Sequence, residues 1–203
     1  MTRAFSGDRL LVATHNRGKL EEMGELLRPH GVTVVGAAEM DLPEPEETED
    51  TFIGNARLKA HAAAKATGLP ALADDSGLEI DALGGQPGVY TADWAETGSG
   101  RDFVMAMDRT ERELRASGQP EPWTARFCCT LVLAWPDGHD EVFEGRVPGR
   151  ISFPMRGEQG HGYDPIFVPD GHDVTFGEMD RWAKNAMSHR AVAVRRFVEG
   201  CFG

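Results

Sequence analysis

Hydrophobic and polar positions alternate along this chain in blocks that change period. The run "RLLVAT" is apolar and β-branched at its centre and reads as a buried strand. The next residues place Leu20, Met23 and Leu27 at helical spacing, so a helix follows until "RPHG" stops it. "VTVVG" predicts a second strand. From Glu39 to Asp50 the pattern fails: "PEPEETED" is proline and acid but for Thr48 and predicts a loop. Asp50 or Thr51 then caps a long helix, "TFIGNARLKAHAAAKATG", which Gly68 ends. Its apolar stripe through Phe52, Ala56 and Ala63 is interrupted by Lys59. "LPALADDSGLEIDALGG" predicts strand, polar turn, strand. A glycine-rich loop leads to an amphipathic helix through Phe103, Met107 and Leu114, then to two strands flanking "PDGH", a hairpin signal. A Gly-rich loop, a short strand and a helix starting near "SHRAVAVRRFV" close the chain. The order β-α-β-α-β-β-α-β-β-β-α predicts a mixed sheet with helices on its faces, where ligands gather beyond the strand ends.

Composition narrows the setting. The 203 residues suit one domain, or one domain with two lobes around a cleft, and 40% are apolar. A net charge of −12 opposes a broad nucleic-acid-binding face but leaves room for a small polyphosphate met by a few focused cations. Cys128, Cys129 and Cys201 are odd in number and lack CxxC spacing, which favours a reduced, intracellular protein. The N-terminus has no signal-peptide layout, and no apolar run is long enough to span a bilayer.

Four stretches carry candidate chemistry. "THNRGK", Thr14 to Lys19, lies where a strand hands over to a helix. The unpaired N–H groups there attract anions, Gly18 permits close approach, Lys19 adds charge, and Thr14 and Asn16 add hydrogen bonds. The plainer alternative is a capped turn with a solvated lysine. In "ADDSG", the neighbouring carboxylates Asp74 and Asp75 resist joint ionisation, which a divalent cation would relieve; an Asx turn facing solvent is the alternative. Glu46 and Glu47, alone, are explained by the dipole of the helix that follows. In "KNAMSHR", Ser188 reads as an N-cap with His189 and Arg190 in the first turn, where cations oppose the dipole; with Lys184 nearby, either a bound anion or acidic neighbours would explain them. "GHGYDPIF" offers a backbone loop that can press on a flat ring, with Tyr163 either stacking on that ring or covering the core.

Together, "LVATHNRGKLEEM", the segment from "TFIGNARLKA" through "ADDSGLEI" to "GVYTADWA", "GHGYDPIF" and "KNAMSHRAVAVRRF" resemble, in order, the inosine triphosphate pyrophosphatases, also called XTP/dITP diphosphatases. The resemblance covers the chain nearly end to end. It implies a single domain over residues 1–203: α/β, an elongated mixed β-sheet flanked by helices, with two lobes and a central cleft. It implies Mg²⁺-dependent hydrolysis of aberrant purine nucleoside triphosphates (ITP, dITP, XTP) to the monophosphate and pyrophosphate by a cytoplasmic homodimer. Thr14, His15, Asn16, Arg17, Gly18 and Lys19 then match the triphosphate site, Glu47 and Asp75 the metal ligands, and Asp75 the residue that activates water, with Asp74 beside it. Ser76 matches a substrate contact. His161, Gly162, Tyr163 and Asp164 match the base-pocket loop, and Lys184, His189 and Arg190 its other wall. Two positions depart from the pattern: His161 stands where the family has Phe, and Ala183 where it has an acid. Charge supplies the mechanism: cations screen the triphosphate, Asp75 and the metal deprotonate a water, and Lys19 with nearby N–H groups steadies the departing pyrophosphate.

Overall fold

The computed structural model describes residues 2–202. In chain order the elements are β1 (Arg9–Val12), α1 (Arg17–Leu27), β2 (Thr33–Gly36), α2 (Phe52–Thr67), β3 (Ala71–Ile80), β4 (Pro87–Gly88), β5 (Glu96–Thr97), β6 (Gly100–Arg101), α3 (Phe103–Ala116), β7 (Trp123–Ala134), β8 (Asp140–Ile151), β9 (Phe167–Pro169), α4 (Arg181–Met187) and α5 (His189–Cys201). Seven strands form one sheet in the order β2-β1-β3-β7-β8-β9, with β4 on β3; β5 and β6 make a separate hairpin. β1 runs parallel to β2 and β3, whereas β4 on β3 and β9 on β8 are antiparallel, so the sheet is mixed as expected.

The chain divides into two compact units. One holds the chain up to Asp75, Cys129–Gly145 and everything from Arg190; the other holds Ser76–Cys128 and Arg146–His189. β3, β7 and β8 each contribute residues to both.

In the first unit, α1 packs Met23 and Leu27 against Leu10, Val12, Leu72 and Phe197. α2 starts where the Thr51 hydroxyl accepts the Gly54 N–H and ends at Gly68, whose φ of 70° needs no Cβ. Its buried side is nearly all alanine, Ala56, Ala60, Ala63 and Ala64, packed on Leu11, Ala71, Ala73 and Val132. Small residues bring this helix close to the strands, and the same side carries Asn55 and Lys59 one turn apart.

In the second unit, Met107 and Leu114 of α3 join Leu78, Ile80, Phe127, Tyr163, Phe167 and Phe176 in a separate core. Cys128 and Cys129 are buried on β7, and no cysteine forms a disulfide among the described residues. Burial pushes the Cys128 and Cys201 thiols up to about 12. Among the described residues, no helix is long and apolar enough to cross a membrane.

The structure corrects three expectations. "DDSG" is not a turn: β3 runs unbroken from Ala71 to Ile80, with Asp74 and Asp75 both buried. An extended backbone persists there because each acid meets a cation, as described below. The glycine-rich loop before α3 holds three short strands, β4, β5 and β6. "RWAKNAM" is a helix of its own, α4, begun by the Asp180 carboxylate, which accepts the N–H groups of Trp182 and Ala183 at 3.0 Å each. Its seven residues show less than two turns of periodicity. Ser188 is the extended residue between α4 and α5.

Candidate functional site

The first unit builds a charge cluster from both ends of the chain. At the end of β1 the Thr14 hydroxyl accepts the Asn16 N–H at 3.1 Å. Asn16 caps α1, its side chain accepting the Lys19 N–H at 3.1 Å. That tight turn aims Lys19 inward, where its ammonium lies 3.0 Å from Asp74 Oδ2. The turn is capped, as the plainer reading held, but the lysine is half-buried and ion-paired. His15, Arg17 and Gly18 are exposed, and Arg17 reaches only Glu21, at 3.1 Å.

Asp74 Oδ2 also accepts from Arg190 at 3.1 Å, and Arg190 pairs in turn with Glu22, one turn beyond Lys19 on α1. Arg190 thus sits among the acids of this unit. Burial raises the cost of ionising Asp74, yet Lys19, Arg190 and Lys59 outweigh it and hold that carboxyl far below the usual carboxylate range. Arg190 is fixed as a cation by Glu22 and Asp74 despite its burial.

Asp75 turns to the opposite side of β3, because successive strand residues alternate. Asn55 donates to its Oδ2 at 3.2 Å, and the Lys59 ammonium lies 3.9 Å from Oδ1 while pairing with Glu47. Here burial prevails: with Glu47 and Asp74 adding negative charge against Lys59 and Lys19, the Asp75 carboxyl is pushed up to about 6. Lys59, though buried, is held protonated by Asp74, Asp75 and Glu47.

These neighbouring acids thus have opposite characters. Asp74 is held ionised by its cations, whereas the Asp75 carboxyl is raised to about 6, towards the range a general base uses. Glu22, Glu47, Asp74 and Asp75 are gathered here with Lys19, Lys59 and Arg190. The donors on the Asp75 side are carboxylate oxygens, which suit a hard divalent cation. No group of three or more His, Cys, Asp or Glu side chains is arranged around one metal position among the described residues. Glu47 and Asp75 offer oxygen donors of the type accepted by a cation such as Mg²⁺, which keeps water and phosphate among its ligands.

The second unit holds the other predicted residues. Ser76 follows Asp75 on β3 and is half-buried. In "GHGYDPIF", Asp164 is buried, accepts the His161 N–H at 2.9 Å and pairs with Lys184 at 2.5 Å. Gly160 has a φ of 74°, and a Cβ there would fall 2.0 Å from Asp164 Oδ2, so only glycine leaves room for this carboxylate. Gly160→Ala should expel the carboxylate, freeing Lys184 and raising KM several-fold; steady-state kinetics check this.

Gly162, also at positive φ, presents bare backbone. His161, the departure from the expected Phe, is exposed, and its backbone N–H donates to Asp164. Tyr163 does not offer its ring to a ligand: it is buried, donates to the Thr91 carbonyl at 3.0 Å and meets Phe103 edge-on. His189 instead stacks on Phe127 at 5.0 Å and 15°, and Lys184 sits 5.6 Å above Phe176.

Sequence reasoning missed Glu22, Asn55 and Phe127 as site residues and noticed Lys59 only as an oddity. The signals were spacing: Glu22 lies three residues after Lys19, and Asn55 four before Lys59, each on the same helix side.

The two sets are consecutive in the chain at Asp75–Ser76 and at His189–Arg190. The fold is a mixed α/β sheet whose strand β3 carries buried, cation-flanked carboxylates, one of them paired with Lys19 from the capped start of α1. The Ham1 family pattern matches residues 10–200, and the chain belongs to that family. It is 73% identical over 203 residues to a dITP/XTP pyrophosphatase of Ruegeria pomeroyi, covering 100% of both chains. It is 57% identical to a dITP/XTP pyrophosphatase of Rhodospirillum centenum, covering 98% of each. A HAM1 protein from Coxiella burnetii superposes with a TM-score of 0.87 at 37% identity, over 94% of this chain and 96% of that one.

Proposed function

We propose that this chain is a single functional domain that hydrolyses aberrant purine nucleoside triphosphates, ITP, dITP and XTP, to the monophosphate and pyrophosphate, and so cleanses the nucleotide pool. The observation that carries the reading is the placement of Asp75: a buried carboxyl with a pKa near 6, flanked by Lys59 and Asn55, one residue from an anion that anchors Lys19.

Asp75 takes the proton from a water that attacks the α-phosphorus. Lys19 and the N–H groups opening α1, with the Thr14–Gly18 turn, bind the triphosphate and steady the leaving pyrophosphate. Glu47 and Asp75 would hold the divalent cation, Mg²⁺ in this reading, which supplies positive charge that screens the phosphates. Ser76 contacts the substrate beside them. The base is the business of Gly162, Asp164, Lys184 and His189. Hypoxanthine and xanthine present an oxygen at C6 where adenine presents an amino group, and donors on the loop backbone, Lys184 and His189 favour the oxygen. The carboxylate of Asp164 fixes Lys184 for that task.

The same reading carries a homodimer in a reducing cytoplasm. Exposed Tyr90, Val104 and Trp182 supply apolar surface for association, and the buried thiols suit a reduced compartment.

The test is incubation with ITP, XTP, dITP, GTP and ATP, with pyrophosphate and orthophosphate separated. Pyrophosphate from the first three is expected. Orthophosphate instead would make the protein a phosphomonoesterase, and no product at all would leave it a binding module. Within this scheme Lys19→Ala should raise KM for ITP by roughly tenfold, the loss of about one charge-assisted contact. An unchanged KM removes Lys19 from the phosphate site.

A further inference from the structure

A lysine on a helix side otherwise given to alanine needs a reason. Lys59 is buried among Ala56, Ala60 and Ala63, and its ammonium pairs with Glu47 and lies 3.9 Å from Asp75 Oδ1. These are the two carboxylates assigned above to the divalent cation. Asn55 prearranges them. It accepts the Glu49 N–H at 3.0 Å and donates to the Glu49 carbonyl and to Asp75 at 3.2 Å each, tying the acidic segment to α2 beside β3.

We propose that Lys59 is the resident counter-cation of the metal position: without nucleotide its ammonium lies between Glu47 and Asp75, competes with a divalent cation for them, and so makes metal loading depend on the triphosphate. The inference rests on Glu47 and Asp75 being the metal ligands. An ammonium tethered four carbons from a helix backbone is always present beside these acids, whereas a free cation must displace it. The displaced ammonium is buried, and stranding it without an anion is costly. A triphosphate removes that obstacle by bringing anions of its own. Cation and nucleotide therefore enter together, and the nucleotide-free enzyme resists metal.

The experiment measures Mn²⁺ binding to the intact protein, from the electron-spin-resonance signal of the free ion and from the metal-induced rise in melting temperature. Wild type alone should bind weakly, and a non-hydrolysable ITP analogue should tighten Mn²⁺ about tenfold or more. Without nucleotide, Lys59→Met and Lys59→Gln should each bind Mn²⁺ about tenfold more tightly than wild type, while Lys59→Arg should not. If wild type binds Mn²⁺ equally with and without the analogue, or if the neutral variants bind no more tightly, Lys59 is not a competitor, although the metal assignment stands. If neither wild type nor variant binds Mn²⁺ even with the analogue, the metal assignment itself fails and takes this inference with it.

Discussion

Asp75→Asn should nearly abolish turnover and at the same time make the protein more stable. The activity loss follows from removing the proton acceptor, worth roughly 10²- to 10⁴-fold for a positioned general base. The stability gain follows from linkage. In the unfolded chain this carboxyl titrates near 3.8, and burial beside Glu47 and Asp74 raises it to about 6 in the folded protein. Folding therefore favours the protonated form. The favourable contribution is fully present below about pH 4 and is lost as pH rises through about 6. At pH 8 the ionised side chain costs up to about 3 kcal/mol. Asparagine carries no charge and retains the geometry for a bond with Asn55. A gain of about 1–3 kcal/mol, or about 3–10 °C in Tm, is expected in metal-free buffer at pH 8. The gain should shrink as pH falls towards 4. Near-normal turnover with Mg²⁺ would remove Asp75 as the water-activating base, and an unchanged Tm would remove the picture of a destabilising buried charge. In the wild type, kcat/KM should fall as pH drops through about 6, and a bound cation would move that limb lower.

Arg190→Met should have the opposite character. Asp74 and Glu22 are only 2% and 7% exposed, and the guanidinium serves both. Removing it takes the guanidinium from two buried carboxylates, while Lys19 still pairs with Asp74. A loss of about 3–5 kcal/mol follows, roughly 10 °C in Tm. Adding Glu22→Gln should return part of that loss, since one stranded charge disappears; a coupling of about 1–3 kcal/mol in the double-mutant cycle is the expected readout. Thermal melts of the four proteins at pH 8 decide it. Independent, additive effects would show that the three side chains do not act as a network.

Much of this was legible in the chain. The 3-4 spacing of Leu20, Met23 and Leu27 and the Gly68 stop located two helices, because local periodicity and caps are written in short range. The strand through "DDSG" was not legible, because its extended form depends on partners far away in sequence. Lys19 lies 55 residues from Asp74, and Arg190 lies 116 from it. No local rule says that two adjacent acids in a polar tetrapeptide will each be met by a cation. The fate of Arg190 has the same cause: its helix position marked it as unusual, but whether it faced a ligand or an acid depended on Glu22. For Tyr163 both readings were open, and burial against Phe103 decided for the core.

The alternation of β3 has one last consequence, for how such a protein can change over evolutionary time. Anchor and reactive group are set apart by nothing more than odd and even places on a pleated ribbon. Inserting or deleting one amino acid between Leu72 and Asp74 would turn both carboxylates to the opposite face and slide one of them into the other's place. Length in this segment should consequently be far less negotiable than the identity of the apolar residues around it.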